Sequence, residues 1–325
     1  MRSYNKRILV AGATGLVGTT VVAQILSRFP RAKIRGTYHK TLPAMDNGRV
    51  TYVQTDLTTK QGCKDAVRGC DMAIMAAACT GGANAAVAAP AGQMTDNLVM
   101  DALMLEAMHQ EGIRRIIYLS SATVYQGYDG AIKEKEIDWN QDPYPSYFGV
   151  GWAKRSAEKL CEFWHEKYGM RIIILRCANI YGPYAKFNPA ASNFIPAIIR
   201  KAVSKNDPFE VWGSPHVTRD VIYVDDLAVA LVQLLATDDL AWGIFNLGSG
   251  ESCTVQQVVE LSLKFAGHHP SKIVFAEEKP TTIDKRVLDC SKIQQTLNWK
   301  PRCSLPQGIE KTLSWWKANK ETWNK

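Results

Sequence analysis

The sequence predicts an α/β fold in which helices cover both faces of a doubly wound parallel sheet, with a smaller lobe formed by the C-terminal part. Two observations predict this fold. Short β-branched or apolar runs alternate with longer segments of amphipathic helical spacing, and a glycine-rich turn directly follows the first of these runs. Such alternation is typical of βαβ units, whose parallel strands are buried on both faces.

Six apolar runs are predicted to be strands of this sheet: RILVAG, KIRGTYH, VTYVQTD, MAIMAAA, RIIYLSS and RIIILRC. The rhythm becomes irregular after Cys177, where a strand-like VIYV and a Trp-rich helix, SLPQGIEKTLSWWKANK, stand out. We therefore assign residues 1–175 and 220–250 to the domain that contains the sheet. Residues 176–219 and 251–325 form the lobe, which we expect over the carboxyl edge of the sheet.

Composition and charge narrow the classes of function. The 325 residues, 46% of them hydrophobic, are enough to bury a large core. The net charge of +8 comes from scattered Lys and Arg without a run of five like charges, so we expect a phosphate-rich small ligand and no nucleic-acid partner. No apolar run has transmembrane length and the N-terminus lacks a signal-peptide core, so we expect no membrane association.

The eight cysteines follow neither a metal-binding nor a disulfide pattern. They include no C-x-x-C pair, and no His stands at metal-ligand spacing from them. We therefore predict no metal site, and free thiols in a reducing cytoplasm.

A glycine-rich turn, G-A-T-G-L-V-G, lies between the strand RILVA and the helical run TTVVAQILSRF. A dinucleotide site needs such a turn, because the pyrophosphate must approach the backbone and meet the N–H groups of a helix N-terminus. The alternative, a glycine-rich turn without a ligand, is disfavoured by the strand and helix on either side. The sequence therefore predicts a Rossmann-type domain with a dinucleotide at Gly12, Thr14, Gly15, Leu16, Val17 and Gly18.

The end of the second predicted strand bears on the choice between NADP and NAD. An acidic residue there would bind the ribose 2′-hydroxyl of NAD, but the sequence has His39 and Lys40. Basic side chains suit a 2′-phosphate, so NADP is the preferred cofactor and NAD remains possible. The alternative is that both side chains are solvated loop residues.

Further cofactor contacts are predicted at the ends of the next two strands. Asp56 and Leu57 close the third predicted strand, where a carboxylate can meet the adenine amino group. Ala76, Ala77 and Ala78 close the fourth, where small side chains let the cofactor lie against the strand end. The alanines are equally consistent with plain core.

Several motifs in a fixed order resemble those of a known superfamily. Besides the glycine turn, these are SSATVY at 120–125, FGVGWAKR at 148–155 and NIYGP at 179–183. Over nearly its whole length the chain resembles the extended short-chain dehydrogenases/reductases, and among them the nucleotide-sugar epimerases, dehydratases and 4-keto-reductases. SSATVY is similar to a motif of the UDP-galactose 4-epimerases, whereas FGVGWAKR, NIYGPYAKFNPAASNFIP and VWGSPHVTRDVIYVDDLA are similar to the GDP-fucose synthases.

The resemblance implies a role for Lys154 and exposes two departures. In the family this Lys binds the nicotinamide ribose. It also lowers the pKa of a Tyr that lies four residues earlier on the same helix face, and this Tyr exchanges a proton with the sugar. That position holds Val150, which has no transferable proton. Asn193, a predicted substrate contact, stands where GDP-fucose synthases use a His in epimerisation.

Three hydroxyl groups are candidates to replace the missing proton donor. Tyr147 lies seven residues before Lys154, two helical turns away on roughly the same face; its alternative role is a ring that caps the helix. Ser121 corresponds to a family residue that hydrogen-bonds the reacting sugar oxygen, and Thr123 is nearby on the same strand end. Both are predicted catalytic and substrate-binding residues, and the alternative is that they satisfy local backbone groups.

The resemblance also implies a binding site for the substrate diphosphate in the lobe. Asn179, at a strand end in NIYGP, matches a residue placed against the diphosphate, and Arg219 and Arg286 match two arginines that grip it. Guanidinium groups suit phosphate oxygens because they offer parallel donors. Trp212 is a candidate to line the base pocket, with a core position as the alternative.

Two functions are consistent with these residues. The first is an NAD(P)-dependent epimerase or 4-keto-reductase that moves hydride at C4 of a nucleoside-diphosphate sugar, which we expect to be a homodimer. The second is a protein that binds the cofactor and the sugar nucleotide but has lost catalysis, acting as a sensor or a partner subunit. Val150 and Asn193 favour the second.

Overall fold

In the computed structural model, residues 5–81, 90–277, 283, 285 and 287–323 are described. The centre is a seven-stranded parallel sheet, which confirms the predicted doubly wound α/β class. Along the sheet the strands are β11 (Trp242–Leu247), β7 (Arg171–Cys177), β5 (Arg115–Ser121), β4 (Met72–Met75), β1 (Arg7–Ala11), β2 (Lys33–Tyr38) and β3 (Val50–Gln54).

The strand order creates a switch point between β1 and β4. The chain moves outward from β1 to β2 and β3, and then returns to build β4, β5 and β7 on the other side of β1. Because all seven strands are parallel, their carboxyl ends meet at one edge. Ligands of doubly wound folds bind in the crevice at this point, so the topology places the glycine turn after β1 at the expected position.

Helices cover both faces of the sheet. On one face, α1 (Leu16–Arg28) packs beside α6 (Val224–Leu235). The other face carries α2 (Lys60–Val67), α3 (Pro90–Gln110) and α4 (Phe148–Tyr168).

Alternation along the strands divides the core into two clusters. In β1, Ile8 and Val10 pack with the α1 and α6 side of the sheet, whereas Leu9 and Ala11 pack with the α2, α3 and α4 side. All four side chains are fully buried. Both faces of a parallel strand are apolar for this reason, and the sequence runs read as continuous hydrophobic segments.

Among the described residues, the lobe contains short strands and four helices, and some of its strands pair with segments of the sheet domain. β10 (Thr218–Tyr223), which continues from the lobe into the sheet domain, pairs with β8 (Asn179–Tyr181) and β12 (Ser252–Thr254); β9 (Phe209–Trp212) pairs with β13 (Ile273–Ala276); and β6 (Ala131–Ile132), from the sheet domain, pairs with β14 (Val287–Leu288). The helices of the lobe are α5 (Phe194–Val203), α7 (Val255–Ala266), α8 (Ser291–Leu297) and α9 (Leu305–Asn319).

The predicted Trp-rich C-terminal helix is confirmed as α9. It begins after Ser304, whose backbone N–H bonds the side chain of Gln307 in a capping box. Trp316 stacks on the buried ring of Phe187, with ring centroids 4.2 Å apart. This contact attaches the chain segment after NIYGP to the C-terminal helix.

The six predicted strands are confirmed, with differences at their ends. β3 ends at Gln54, so Asp56 and Leu57 lie beyond it: the Asp56 carboxylate turns to accept hydrogen bonds from the amide and hydroxyl of Thr58. β4 ends at Met75, before the three alanines. Asn179 was expected at the end of a strand, but it is the first residue of β8. β7 ends at Cys177, and the amide of Ala178, between the two strands, donates to the Leu247 carbonyl.

Three further properties concern the described residues. No helix there is long and apolar enough to cross a membrane. No group of three or more His, Cys, Asp or Glu side chains is placed to hold a metal ion within the same ranges. All eight cysteines are free thiols, as predicted.

Candidate active site

The glycine turn after β1 is packed closely against neighbouring backbone. Gly12 has a φ of +75°, and its amide donates to the Thr37 hydroxyl at 3.0 Å. A Cβ at Gly12 would lie 2.7 Å from Cα of Ala77, and one at Gly18 would lie 2.1 Å from the Gly12 carbonyl oxygen. Only glycine fits these two positions, so the turn brings the predicted cofactor residues of β1 and β4 together.

Gly15 differs from Gly12 and Gly18 because the space around it is open. It precedes α1 in an extended conformation, and no side chain caps the helix there. Among the described residues, a Cβ on Gly15 would meet only the Gly12 oxygen, at 3.4 Å. Thr14 is buried, while Leu16 and Val17 are half-buried and Leu16 packs against the lobe. The N-terminus of α1 therefore lies beside the lobe, with open space at Gly15.

Of the residues predicted at the adenine end, His39, Lys40 and Asp56 lie on the surface and Leu57 does not. His39 and Lys40 are both exposed after β2, and Gln54 donates to the His39 carbonyl. Asp56 is also exposed, and the Thr58 hydroxyl and amide lower the pKa of its carboxyl, with weaker contributions from the charges of His39 and Lys40. Leu57 is buried in the core beside α2.

The chain after β4 crosses the edge of the cleft. Ala76 and Ala77 are half-buried and Ala78 is exposed, so the plain-core alternative does not describe all three. Asn97 fixes the next residue, because its side chain accepts from the Cys79 amide and donates to the Cys79 carbonyl.

Lys186, from the lobe, reaches this segment. Its ammonium group donates to the Thr80 carbonyl at 2.6 Å, and burial lowers the pKa of Lys186. Tyr184, two residues earlier, has a φ of +68°, and the Trp323 indole donates to the Ala185 carbonyl. Trp323, near the C-terminus, thus holds the backbone next to Lys186, and the Lys186 ammonium group connects the lobe to the segment after β4.

Two of the candidate proton donors lie together after β5. The Ser121 hydroxyl accepts from the Thr123 amide at 3.2 Å and begins a single 3₁₀ turn. The Thr123 hydroxyl is buried and has no hydrogen-bond partner among the described residues. A Cβ on Gly151 would lie 2.6 Å from the Thr123 carbonyl, so the first turn of α4 packs directly on this segment.

Lys154 lies one turn further along α4 and is buried. Its Nζ donates to the Tyr118 hydroxyl at 2.8 Å and to the Leu119 carbonyl at 3.2 Å, both in β5. The carboxylate of Asp101, from α3, lies 3.6 Å from Nζ. Lys154 therefore contacts the last residues of β5, close in sequence to Ser121, and its place in one site with Ser121 and Thr123 stays a prediction.

Tyr147 lies at the entrance to α4, in the N-cap position, and is half-buried. Its ring is 6.3 Å from the ring of Tyr144. Val150, in the first turn of the same helix, is also half-buried. The position of Tyr147 is compatible with both roles considered for it, a ring at the start of the helix and a hydroxyl beside the cleft.

Two of the three predicted diphosphate residues, Asn179 and Arg219, lie on neighbouring strands of the lobe sheet. Asn179 of β8 pairs in register with Val221 of β10, and its side chain donates to the Asp220 carbonyl. Arg219 is buried and donates to the carbonyls of Thr218 and Ile283. Arg286 lies outside the described residues.

Asn193 and Trp212 lie on the lobe surface. Asn193 is exposed and begins α5 without a side-chain capping bond. Trp212 ends β9 with 39% of its surface exposed, and its indole donates to Glu210 at 2.8 Å. The core alternative for Trp212 is therefore wrong, because its ring has no apolar environment closed around it.

Comparison with known proteins agrees with this arrangement. Residues 8–248 match the NAD dependent epimerase/dehydratase family. The chain belongs to this family. The matched range includes the glycine turn, the β5 edge, Lys154 and strands β8 and β10 of the lobe sheet.

Relatives and solved structures of the family cover almost the whole chain. The GDP-L-fucose synthase of Escherichia coli is 26% identical, over 97% of this chain and 98% of that protein. The GDP-mannose 3,5-epimerase of Arabidopsis thaliana is 26% identical, over 98% of this chain and 84% of that protein. A UDP-glucose 4-epimerase from Thermotoga maritima, solved with UDP-glucose, has a TM-score of 0.84 at 22% identity, covering 96% of this chain and 99% of that one.

Some residues of this epimerase/dehydratase family member were missed from the sequence. Asp101 is a polar residue within the apolar helical pattern LVMDALMLEAM, and that was its only signal. Tyr118 reads as one more apolar residue of a buried strand. Lys186 carries no signal in the sequence, because its contact depends on how the lobe packs.

A cavity of about 1210 Å³ lies elsewhere in the lobe. Residues from β12, α7 and the start of α9 contribute to its lining, among them Cys253, Gln257 and Ser304. It contains none of the predicted site residues, and we place the candidate site at the sheet edge, where the polar groups converge.

Proposed function

We propose that this protein is an NADP-preferring epimerase or 4-keto-reductase of nucleoside-diphosphate sugars, with hydride transfer at a ring carbon, C4. The observation that carries this proposal is the position of two motifs at one sheet edge: the glycine turn after β1 and the Ser121–Thr123 turn after β5, on either side of β4. Relatives named GDP-L-fucose synthase and GDP-mannose 3,5-epimerase support a sugar-nucleotide substrate.

The glycine turn fits a dinucleotide. The open position at Gly15 leaves room for a pyrophosphate at the uncapped start of α1, where N–H groups and the helix dipole favour an anion. His39 and Lys40 are exposed at the end of β2, where a ribose 2′-phosphate would meet them. The bound cofactor would supply the hydride acceptor and donor.

The groups after β5 would bind and protonate the sugar. Ser121 would hydrogen-bond the reacting oxygen. The buried hydroxyl of Thr123, which has no partner in the part of the chain that the structure describes, is suited to a ligand or a water molecule. Tyr147, at the entrance to α4, is the remaining candidate donor in place of residue 150. A positioned acid or base contributes about 10²- to 10⁴-fold to the rate, which sets the size of effect expected from the right hydroxyl.

In the lobe, Asn179, Arg219 and Arg286 would hold the diphosphate, with Asn193 and Trp212 as further substrate contacts. The buried guanidinium of Arg219 is fixed by two backbone carbonyls, which restricts its orientation before a ligand binds.

We also propose that the protein is a cytoplasmic homodimer. Exposed apolar side chains on α3 and α4 support the second part of this proposal, among them Val99, Phe148 and Phe163. The free thiols are consistent with a reducing compartment.

A second candidate function is cofactor and sugar-nucleotide binding without turnover. Val150, which cannot transfer a proton from the usual helix position, favours it, as does Asn193, which cannot titrate as a His does. The protein would then act as a sensor or as a partner subunit.

Turnover decides between the two functions. We expect turnover of at least one member of a panel of 4-keto and 4-hydroxy nucleotide sugars. Reduction of a 4-keto sugar consumes the reduced cofactor and is measured by absorbance, whereas epimerisation regenerates the cofactor and is measured by the change in the sugar itself. Tyr147→Phe should lower the rate by about tenfold or more, and Val150→Tyr should be tolerated or raise it. Tyr144→Phe is the matched control, because it removes a neighbouring hydroxyl that we assign no role.

Binding without any turnover would establish the second function, and an unchanged rate in Tyr147→Phe would exclude that hydroxyl. Arg219→Ala should weaken nucleotide-sugar binding by about 1.5–3 kcal/mol, the range for a charge-assisted hydrogen bond, in calorimetry. Unchanged affinity with the fold intact would remove Arg219 from the substrate site.

A further inference from the structure

A buried charged cluster lies beside Lys154, on the sheet face covered by α3 and α4. The Tyr118 hydroxyl donates to the Asp101 carboxylate at 2.6 Å and accepts from the Lys154 ammonium group at 2.8 Å. The exposed fractions of the Asp101 and Lys154 side chains are 1% and 7%. Three ionisable groups from α3, β5 and α4 are therefore in contact inside the core.

Burying such a cluster destabilises the folded state unless every charged group is fully paired. Burying a charge costs several kcal/mol, and pairing offsets this only when the hydrogen bonds are satisfied. One oxygen of Asp101, Oδ1, is buried without a partner among the described residues. Burial raises the pKa of Asp101, and the charge of Lys154 opposes that shift. Pairing within the cluster is thus incomplete, and its stabilising value alone does not account for it.

The cluster fixes the ammonium group near the predicted cofactor site. Lys154 also donates to the carbonyl of Leu119, two residues before the end of β5. These two hydrogen bonds occupy two of its three N–H groups. Among the described residues the third N–H makes no hydrogen bond within 3.5 Å, since the Asp101 carboxylate lies 3.6 Å away, and it is available to a ligand. Ser121 and Thr123 follow immediately in the chain, so the ammonium group lies next to the segment that would meet the nicotinamide half of the cofactor.

We propose that Asp101 and Tyr118 are positioning residues for Lys154, which hold its ammonium group so that the remaining N–H binds the cofactor ribose. This inference rests on the proposed function. Tyr118 contacts Lys154 directly, and Asp101 acts through Tyr118 and through its own charge. Because this chain has Val150 at the position of the family Tyr, the position of Lys154 then depends on Tyr118 and Asp101.

Other charged or titratable groups packed around the cluster have partners of their own or are neutral. Glu158, on α4, forms a buried ion pair with Arg176 at 2.7 Å and accepts from Ser120. Burial raises the pKa of the Cys161 thiol, and it raises the pKa of Cys177 to about 12, so neither carries charge near neutral pH. Asp101 is therefore the carboxylate that balances Lys154.

The test is a double-mutant cycle on cofactor affinity, measured by calorimetry with NADP. We expect Lys154→Met to weaken binding by about tenfold or more, the effect of losing a hydrogen bond to a charged group. Tyr118→Phe should weaken it by at least about threefold in the natural background and have no further effect in the Lys154→Met background. A merely structural role would give equal effects in both backgrounds.

Asp101→Asn adds a second variant. Without the carboxylate, Lys154 loses its buried counter-charge and Tyr118 loses a charged acceptor, so the affinity for NADP should fall by about threefold or more in the natural background and show no further loss in the Lys154→Met background. If this variant does not fold, Tyr118→Phe decides the question, because it removes a single hydroxyl. Glu158→Gln is the matched control: it breaks the other buried ion pair of α4 and should leave the affinity for NADP unchanged.

The outcomes separate the inference from the function on which it rests. If the natural protein binds neither NADP nor NAD, both are overturned. If it binds and Lys154→Met weakens binding, but Tyr118→Phe and Asp101→Asn bind equally well or more tightly, only the positioning role is overturned.

Discussion

Two alanine substitutions in the glycine turn should have opposite consequences. Gly18→Ala places a Cβ 2.1 Å from the Gly12 carbonyl oxygen and 2.7 Å from Cα of Ala13, both backbone atoms that cannot rotate away. Gly15→Ala places it 3.4 Å from the Gly12 oxygen, an ordinary contact, at a φ of −78° that alanine adopts readily. The first change should damage the fold, and the second should damage only cofactor binding.

The magnitudes follow from these distances. Overpacking costs about 1–3 kcal/mol, and the better helix propensity of alanine returns up to about 1 kcal/mol at Gly18, within α1. We expect Gly18→Ala to lower the free energy of unfolding by about 1–2 kcal/mol and the melting temperature by about 2–4 °C. In Gly15→Ala, the lower conformational entropy of the unfolded chain stabilises the protein, and the weaker N-cap of alanine destabilises it. The two effects nearly cancel, so the free energy of unfolding should stay within about 0.5 kcal/mol of the natural value.

Calorimetry with NADP and thermal unfolding measure the two effects separately. Gly15→Ala should weaken NADP binding by about tenfold or more, because its methyl group enters the space assigned to the pyrophosphate. An unchanged affinity in Gly15→Ala would refute that assignment. An unchanged melting temperature in Gly18→Ala would refute the packing argument for the turn.

Three further predictions concern charge. Lys40→Ala should weaken NADP binding and leave NAD binding unchanged in calorimetry; tighter binding of NAD by the natural protein would contradict the assignment of His39 and Lys40 to the 2′-phosphate. Glu158→Gln should lower the free energy of unfolding by about 3 kcal/mol in chemical denaturation, because it leaves the Arg176 charge buried and unpaired; a small effect would mean that water or another group compensates. Burial raises the pKa of Asp220 to about 6, so the folded state holds its proton more tightly than the unfolded state, and stability from this group falls as pH rises from about 4 to 6. The natural protein should therefore lose stability relative to Asp220→Asn over that interval, and a constant difference would contradict the shift.

Local signals were sufficient for six of the seven strands of the sheet. The strands are short, buried on both faces and separated by amphipathic segments, so hydrophobic runs locate them without knowledge of the fold. The glycine turn could be read because its steric demands are met within a few residues of sequence. The ends of the strands were less certain, because Asp56 and the alanines 76–78 continue the predicted runs but lie beyond the last residues of β3 and β4.

The seventh strand, β11, was not among the six predicted runs. Its sequence, WGIFNL, mixes glycine and asparagine with apolar residues, and Asn246 is fully buried because it bonds the Tyr125 hydroxyl and two backbone carbonyls. A buried polar residue of this kind is stable only when distant segments supply its partners. The sequence pattern around it therefore could not reveal the strand.

By itself, the sequence determined the doubly wound α/β class, the glycine turn and the family motifs, because each depends on residues that are close together in the chain. Only the tertiary structure decided which groups surround Lys154 and where Lys186 reaches. Asp101, Tyr118 and Lys154 lie on three different elements and meet because α3 and α4 pack on the same face of β5. The partners of a buried charge are set by that packing, since desolvation makes its free energy depend on every group within a few ångströms and not on its neighbours in sequence.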